Sequence, residues 1–228
     1  MTKKSDAETL SLLETLSNAD GVPGAEDEVA EIFLERWKSR LTVTRDHLGS
    51  VIGTVPSSLP DAPRVAVDCH LDEVGFMVRV ITRAGLLKMV PLGGFWSQAL
   101  PGQRLRLLPA SPGGTKLPAV IAAIPPHLLG RAERDRAVDI KDLLVDVGAD
   151  SAKEAASWGI RPGIFAVPAS TFTPLGRRCA GKAFDNRVGC ALCIRTLEKA
   201  ARPPTKASAP PLPCTVVGVG SVQEEVGL

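Results

Sequence analysis

The sequence lacks any apolar run long enough to span a membrane and any strong excess of charge of one sign. No stretch reaches about 18 uninterrupted apolar residues, which is roughly what a spanning helix needs, and the N-terminal residues are not followed by the apolar run of a signal peptide. The 228 residues include 27 Lys and Arg against 25 Asp and Glu, a net charge of +2. These absences predict a cytoplasmic protein without a membrane partner.

Aromatic residues and cysteines are also few. Trp37, Trp96 and Trp158 are scattered, so we interpret them as core or interface residues rather than as a stacking platform, and the small net charge favours no nucleic-acid partner. The five cysteines are an odd number without framework spacing, which is typical of reduced thiols. Cys190 and Cys193 lie in one predicted helix without a second pair, and we interpret them as core residues.

Helix and strand signals alternate in the first part of the chain. Apolar spacing and first-turn acidic residues predict helices over about 5–18 and 26–37. Short β-prone runs follow over 41–45 and 50–55, and 64–69 has the apolar composition of a buried strand. The alternation is typical of an α/β domain, of which we take residues 1–73 to be the first part.

After residue 73 the composition changes to short β-prone runs separated by glycines. The runs cover 76–81, 86–90, 104–108 and 119–124, and their spacing predicts a small antiparallel barrel or sandwich inserted into the α/β domain. Ser151 and Glu154 form a capping box for a short helix. We place the inserted domain at 74–166 and the second part of the α/β domain at 167–228.

Residues that carry chemistry stand at the ends of predicted elements. His70 and Asp72 follow the strand 64–69, where ligands of open α/β sheets collect. The imidazole could bind a metal while the carboxylate two residues on orients the ring. A His-x-Asp pair also occurs often by chance, and a hydrogen-bonded loop histidine is the alternative interpretation.

The other candidates are carboxylates. Asp185 precedes a helical pattern and could bridge two cations, although an Asp at this place could also be a helix cap. Glu224 and Glu225 follow a Val-rich strand over 215–222, and two adjacent carboxylates near a core repel each other unless cations or protons compensate. One could bind a metal while the other acts as general base; the alternative is a solvated acidic turn.

In their local contexts these residues resemble the dinuclear-metal aminopeptidase family that includes glutamyl, deblocking and tetrahedral aminopeptidases. The similarity covers nearly the whole chain, in the expected order. It rests on the segments His70–Val78, Leu92–Gly94, Gly102–Gln103, Pro125–Leu128, Lys182–Gly189 and Val222–Gly227.

The resemblance implies a three-layer α/β/α zinc-peptidase-like catalytic domain with an inserted small β-barrel-like domain. It also implies two divalent metal ions, zinc or cobalt, and the removal of single residues from peptide N-termini by a homo-oligomer. By motif, His70 would hold one metal, Asp185 would bridge both, and Glu225 would hold the second. Glu224 would be the general base, and Asp72 would support His70.

This chain departs from the family pattern in two ways. Asn186 stands where a second Asp is usual, and family members continue well beyond the position of Leu228, where one more carboxylate ligand and one more histidine are expected. Without those ligands, each metal would keep two protein ligands, fewer than the three of a typical catalytic zinc site.

Two function classes therefore stay open. The first is a metalloaminopeptidase whose activity is impaired in a shortened chain. The second is a catalytically silent fragment that acts as an oligomerisation or binding module. A related two-metal hydrolase of another amide is a third, weaker interpretation, and neither the metal nor the substrate preference follows from these residues.

Overall fold

The structure is a computed structural model that describes residues 3–110, 113–122, 127, 130, 138–202 and 210–227, with side chains from residue 6 onward. The segment Pro125–Leu128 lies outside the described residues apart from His127, as do the end of the predicted run 119–124 and the middle of the predicted loop 201–213. Within the described part, no helix is both long and apolar enough to cross a bilayer.

The chain forms four described α-helices and twelve strands. In chain order these are α1 (Lys3–Asn18), α2 (Asp27–Trp37), β1 (Thr42–Arg45), β2 (Val51–Val55), β3 (Arg64–His70), β4 (Gly75–Ile81), β5 (Leu87–Leu92), β6 (Arg104–Leu107), β7 (Leu117–Ile121), β8 (Val145–Asp146), α3 (Ala152–Ser157), β9 (Phe165–Pro168), β10 (Thr173–Leu175), β11 (Arg178–Ala180), α4 (Phe184–Ala200) and β12 (Thr215–Ser221). They divide into two compact units, Met1–Glu73 with Thr171–Leu228, and Val74–Ser170.

The first unit is built on a mixed four-stranded sheet of order β1-β2-β12-β3. β2 pairs antiparallel with both β1 and β12, whereas β12 runs parallel to β3. A separate two-stranded ribbon joins β10 to β11. The parallel pair aligns the carboxyl ends of two strands that are far apart in sequence.

One face of the sheet packs against α1, α2 and α4. Paired residues of neighbouring strands point to the same face, and Val51, Val55 and Cys69 on this face are buried in one core with residues of the three helices. Cys190 and Cys193 are fully buried in that core, so the interpretation of the Cys-x-x-Cys segment as core packing is confirmed.

The opposite face is only partly covered among the described residues. Ile52, Val217 and Val219 on this face are half-buried, and Ala66 is exposed. The described part of the unit therefore shows one layer of helices on the sheet, and the predicted three-layer arrangement stays a prediction. The expectation that β3 is a buried strand is wrong for the described part of the chain, where β3 is at the edge of the sheet and Val65 is 47% exposed.

The second unit is a closed barrel of six strands in the order β4-β5-β8-β7-β6-β9. Its interior is filled by apolar side chains such as Phe76, Leu87 and Ile121. The short strands β8 and β9 were not predicted, and they close the barrel. The predicted limit of the inserted domain, residue 166, lies inside β9, and the compact unit continues to Ser170.

The local signals had mixed outcomes. Ser151 caps α3 by accepting a hydrogen bond from the Glu154 N–H at 3.2 Å, which confirms one half of the predicted capping box. The Glu154 carboxylate accepts instead from the Asp150 N–H at 2.8 Å. Of the tryptophans, Trp37 is buried in the core, but Trp96 and Trp158 are exposed.

The close approach of α4 to the sheet generates a prediction at Gly218. A Cβ there would lie 2.6 Å from Leu197 Cδ2 and 3.0 Å from Cys193 Sγ. We expect Gly218→Ala to lower the free energy of unfolding by about 1–3 kcal/mol through overpacking, measured by urea denaturation. Gly94→Ala is the matched control, because a Cβ there meets nothing within 4 Å; an equal loss in both variants would contradict this account of the packing.

Candidate metal centre

Three pieces of the first unit meet at one edge of its sheet. The parallel register places Ser221 of β12 opposite His70 of β3, so the residues that follow both strands emerge side by side. A single turn of 3-10 helix, Glu224–Val226, follows β12. The start of α4 supplies Asp185. The parallel pairing thus collects residues from three distant parts of the sequence.

His70 stands at the centre of this group. Its Nε2 lies 3.0 Å from Asp185 Oδ1 and 3.9 Å from Glu224 Oε2, and its Nδ1 lies 3.4 Å from Asp72 Oδ1. The separation of 3.4 Å is an ion-pair distance and is long for a hydrogen bond. The Asp72 carboxylate, helped by Asp185 and Glu224 and opposed by burial, raises the pKa of His70 to about 9.

Asp72 is fully buried and holds the backbone of the acidic turn. Its Oδ1 accepts a hydrogen bond from the Glu224 N–H at 3.1 Å, and its Oδ2 accepts one from the Glu225 N–H at 2.9 Å. Burial opposes its ionisation, but the contact with His70 and these backbone donors hold the pKa of Asp72 below its usual value. One carboxylate therefore connects the imidazole to both glutamates.

Asp185 is not a helix cap. Ala183 occupies the N-cap position of α4, and Asp185 has the non-helical angles φ −84° and ψ 107°, followed by a cis peptide bond to Asn186. Its side chain is 88% exposed and contacts His70. The side chain of Asn186 bonds to the first turn of the helix, where its Oδ1 accepts a hydrogen bond from the Gly189 N–H at 3.0 Å.

The site carries an excess of negative charge. Burial and the neighbouring carboxylates of Asp72, Glu224 and Asp185 raise the pKa of Glu225, and His70 opposes them. Ligand atoms of His70, Glu224 and Glu225 all lie within 4.8 Å of one another. Imidazole nitrogen and carboxylate oxygen suit zinc, cobalt or manganese, so the residues present fit a divalent metal ion.

Below this group lies a buried cluster of opposite charges that sequence reasoning did not assign to the site. The Lys182 ammonium contacts the Glu73 carboxylate, Asp20 Oδ1 at 3.1 Å and the Ala19 carbonyl at 2.7 Å. Arg187 Nη2 lies 3.4 Å from Glu73 Oε1. Burial raises the pKa of Glu73, and the two cations oppose that effect.

The cluster joins the loop before α2, the residue after Asp72 and the start of α4. Lys182 and Arg187 lie on either side of Asp185 in the segment Lys182–Gly189, on which the family resemblance partly rests. That position was the local signal that they lie near the site. Their acidic partners lie more than 100 residues away, with 109 residues separating Lys182 from Glu73, and no sequence period connects them.

The structure therefore brings all five predicted side chains to one place. Asp72, Asp185 and Glu224 surround the His70 ring, and Glu225 adds a further ligand atom beside it. The site thus contains the imidazole of His70, the carboxylates of Asp185 and Glu224 that face it, and the Asp72 carboxylate that holds the backbone of the acidic turn.

Comparison with known proteins gives a consistent result. Residues 49–228 match the family model described as M42 glutamyl aminopeptidase. The glutamyl aminopeptidase of Lactococcus lactis subsp. cremoris is 39% identical over 187 residues, which cover 80% of this chain and 50% of that protein.

Two solved structures are similar along almost the whole chain. A TET aminopeptidase from a marine sediment archaeon of the Thaumarchaeota has 36% identity and a TM-score of 0.84, covering 98% of this chain and 60% of that one. The TET1 peptidase of Pyrococcus horikoshii, described as assembling into a tetrahedron or a large octahedral shell, has 26% identity and a TM-score of 0.79, covering 96% and 62%. The chain spans about half to three-fifths of the length of these relatives.

The raised pKa of His70 predicts how the metal-free chain responds to pH. The folded-state value of about 9 lies above the ordinary 6.5. The stability contributed by the protonated ring is therefore fully present below about pH 6.5 and is lost as the pH rises through about 9. We expect the free energy of unfolding in EDTA to fall over that range, measured by urea denaturation at several pH values.

His70→Gln is expected to remove this part of the pH dependence, whereas His47→Gln, at an exposed position, is expected to keep it. If the His70→Gln chain showed the same decline as the unaltered chain, another group would be responsible and the electrostatic account of His70 would be wrong.

Proposed function

Because the chain belongs to the M42 glutamyl aminopeptidase family, we propose that it forms the metal-holding part of an aminopeptidase that removes residues from the amino termini of peptides. The observation that carries the proposal is the group of ligand atoms of His70, Glu224 and Glu225 within 4.8 Å of one another. Asp185 faces the same imidazole nitrogen.

In this proposal the centre would take two divalent ions. His70 would hold one of them, Glu225 would hold the other, and Asp185 would be shared by both. When bound, such ions would supply positive charge that lowers the pKa of water and polarises a peptide carbonyl. The surplus of carboxylates over imidazole in the site supports this assignment, since a cation would relieve their mutual repulsion.

Asp72 positions two parts of the site at once. A histidine that binds a metal through Nε2 carries its proton on Nδ1, and a carboxylate facing Nδ1 favours that tautomer. Asp72 lies on the Nδ1 side of the ring. The same carboxylate holds the backbone of Glu224 and Glu225, so the orientation of the ring and the placement of the turn are linked.

Glu224 is the proposed general base. Its Oε2 lies 3.9 Å from His70 Nε2, and its side chain is 49% exposed, so the carboxylate can reach both the centre and solvent. It would take a proton from the attacking water and return it to the nitrogen of the leaving peptide. Glu225, which is less exposed, is better placed to stay at the metal.

Other parts of the function rest on the family resemblance, on the sequence and on the relatives, and not on the geometry of the site. We propose zinc or cobalt as the metal and a homo-oligomeric assembly, which the description of the Pyrococcus horikoshii peptidase supports. A cytoplasmic location belongs to the same proposal. One further carboxylate ligand and one further histidine, expected from the family resemblance, would come from the share of the relatives that this chain does not span.

Glu224→Gln tests the proposed base. The change keeps the size of the side chain but removes its ability to take a proton, so we expect a loss of about 10²–10⁴-fold in kcat. The measurement is the release of nitroaniline from Leu- and Glu-p-nitroanilide by the purified chain with added zinc or cobalt. Metal content, measured in parallel, is expected to stay within about twofold of the unaltered chain because the general base is not the residue that retains the metal.

Glu14→Gln, an exposed change on α1, is the matched control and is expected to leave the rate unchanged. Full activity of Glu224→Gln, or activity that persists after EDTA treatment, would contradict the mechanism. A chain that binds metal and assembles but releases no product would instead favour the silent oligomerisation module.

A further inference from the structure

The turn that carries the two glutamates begins with a left-handed residue. Gln223 has φ 62° and ψ 26°, a conformation that costs a residue with a side chain roughly 1–2 kcal/mol. Glu224 then starts the single 3-10 turn, whose N-cap has no side-chain hydrogen bond of its own. The conformation persists only if surrounding groups hold it.

A left-handed residue followed by a right-handed one points successive backbone N–H groups to one side and forms an anion-binding nest. Here the protein fills the nest with its own carboxylates. Asp72 accepts from the N–H groups of Glu224 and Glu225. The remaining donor, the N–H of Gln223, bonds to Glu26 Oε1 at 3.1 Å, across 197 residues of sequence.

Glu26 is well placed to hold this donor. It is 7% exposed, and its carbonyl accepts from the N–H groups of Val29 and Ala30 at 3.0 Å at the start of α2, so its backbone is fixed by the helix. Although it occupies the N-cap position of α2, its side chain makes no capping bond to that helix. The carboxylate instead accepts from the Gly24 N–H at 2.9 Å and from Gln223.

The burial of this carboxylate needs a reason. Within the described part of the chain, no Lys or Arg pairs with Glu26, and an acidic group without a cation partner is costly to bury. Asp72 lies close enough to repel it. A helix start needs neither the burial nor the repulsion, since exposed acidic residues such as Asp27 serve the first turn of α2 equally well.

We propose that Glu26 is a positioning residue for the Glu224 and Glu225 carboxylates. By holding the N–H of Gln223, it keeps the turn in its left-handed start and so determines where both side chains leave the backbone. The inference rests on the proposed function only in assigning Glu224 and Glu225 to the metal centre. It adds the loop before α2 to the parts of the chain that shape the site.

Three variants of the full chain test the role. Glu26→Ala removes the acceptor, Glu26→Gln keeps an oxygen that can accept from Gln223, and Glu31→Ala is a matched change at an exposed position of α2. Hydrogen exchange of the Gln223, Glu224 and Glu225 amides reports the turn without any metal. We expect faster exchange in Glu26→Ala, near-normal exchange in Glu26→Gln, and no change in Glu31→Ala or in the barrel amides of any variant.

Titration with Co²⁺ alone, followed by its visible absorption, supplies the second readout. We expect Glu26→Ala to weaken binding about tenfold, as loss of a group that orients metal ligands commonly does, and Glu26→Gln to restore most of it. Glu225→Ala is included to show that the ion binds at this site.

The outcomes distinguish a failure of the proposed metal centre from a failure of the proposed role of Glu26. Co²⁺ binding that Glu225→Ala leaves intact would contradict the proposed metal centre, while the exchange rates would still decide the role of Glu26. Exchange at Gln223 equal in Glu26→Ala and Glu31→Ala would overturn that role. So would a Glu26→Gln chain as perturbed as Glu26→Ala, because the amide oxygen should still accept the hydrogen bond.

Discussion

The parallel pairing of β3 with β12 is the constraint on which the candidate site depends. It aligns His70 with Ser221, so the imidazole and the two glutamates leave the sheet at neighbouring points. Asp72 then fixes the arrangement by accepting two backbone hydrogen bonds across 152 and 153 residues of sequence. A slip of one residue in this pairing would turn every side chain of the strand to the opposite face and separate the ligands.

Two charge arrangements lie on either side of this strand end. At the metal centre, four carboxylates lie around one imidazole, the buried Asp72 among them and the exposed Asp185 and Glu224, and the surplus of negative charge suits a cation. On the buried side, Lys182 and Arg187 face Glu73, and Lys182 also pairs with Asp20. Buried ions need partners to be tolerated, and each charge of this cluster faces an opposite charge, although Arg187 Nε and Nη1 have no hydrogen-bond partner among the described residues. The cluster ties α4 to the end of β3. The surplus of negative charge at the metal centre thus lies next to a buried cluster in which two cations face two carboxylates.

Local signals identified much of the fold because their physics is local. The Ser151 cap, the glycine-separated runs of the barrel and the valine-rich β12 each depend on neighbours a few residues away. The two-residue β8 and the short β9 with Pro168 have too few residues for a period to be recognised. The exposure of β3 was missed for a different reason, since an apolar strand has the same composition at the centre of a sheet as at its edge.

In the candidate site, too, the sequence identified some features and missed others. Residue type and position at strand ends were enough to select His70, Asp72, Asp185, Glu224 and Glu225, because the chemistry of a ligand belongs to the side chain itself. The partners of these residues were not accessible in that way. Glu26 has the sequence context of an ordinary helix start, and Glu73 has that of an acidic loop residue; only the folded chain shows what their carboxylates contact.

The sequence by itself determined which side chains can bind a metal or move a proton, and the order in which the elements that carry them follow one another. The tertiary structure alone decided the distances among those side chains, the ionisation of His70 and the use of Glu26, Asp72 and Glu73 as supports. The physical reason is that hydrogen bonds and charge interactions act over a few ångströms in space, whereas many of the groups that form them here are far apart along the chain: 115 residues between His70 and Asp185, 152 between Asp72 and Glu224, and 197 between Glu26 and Gln223.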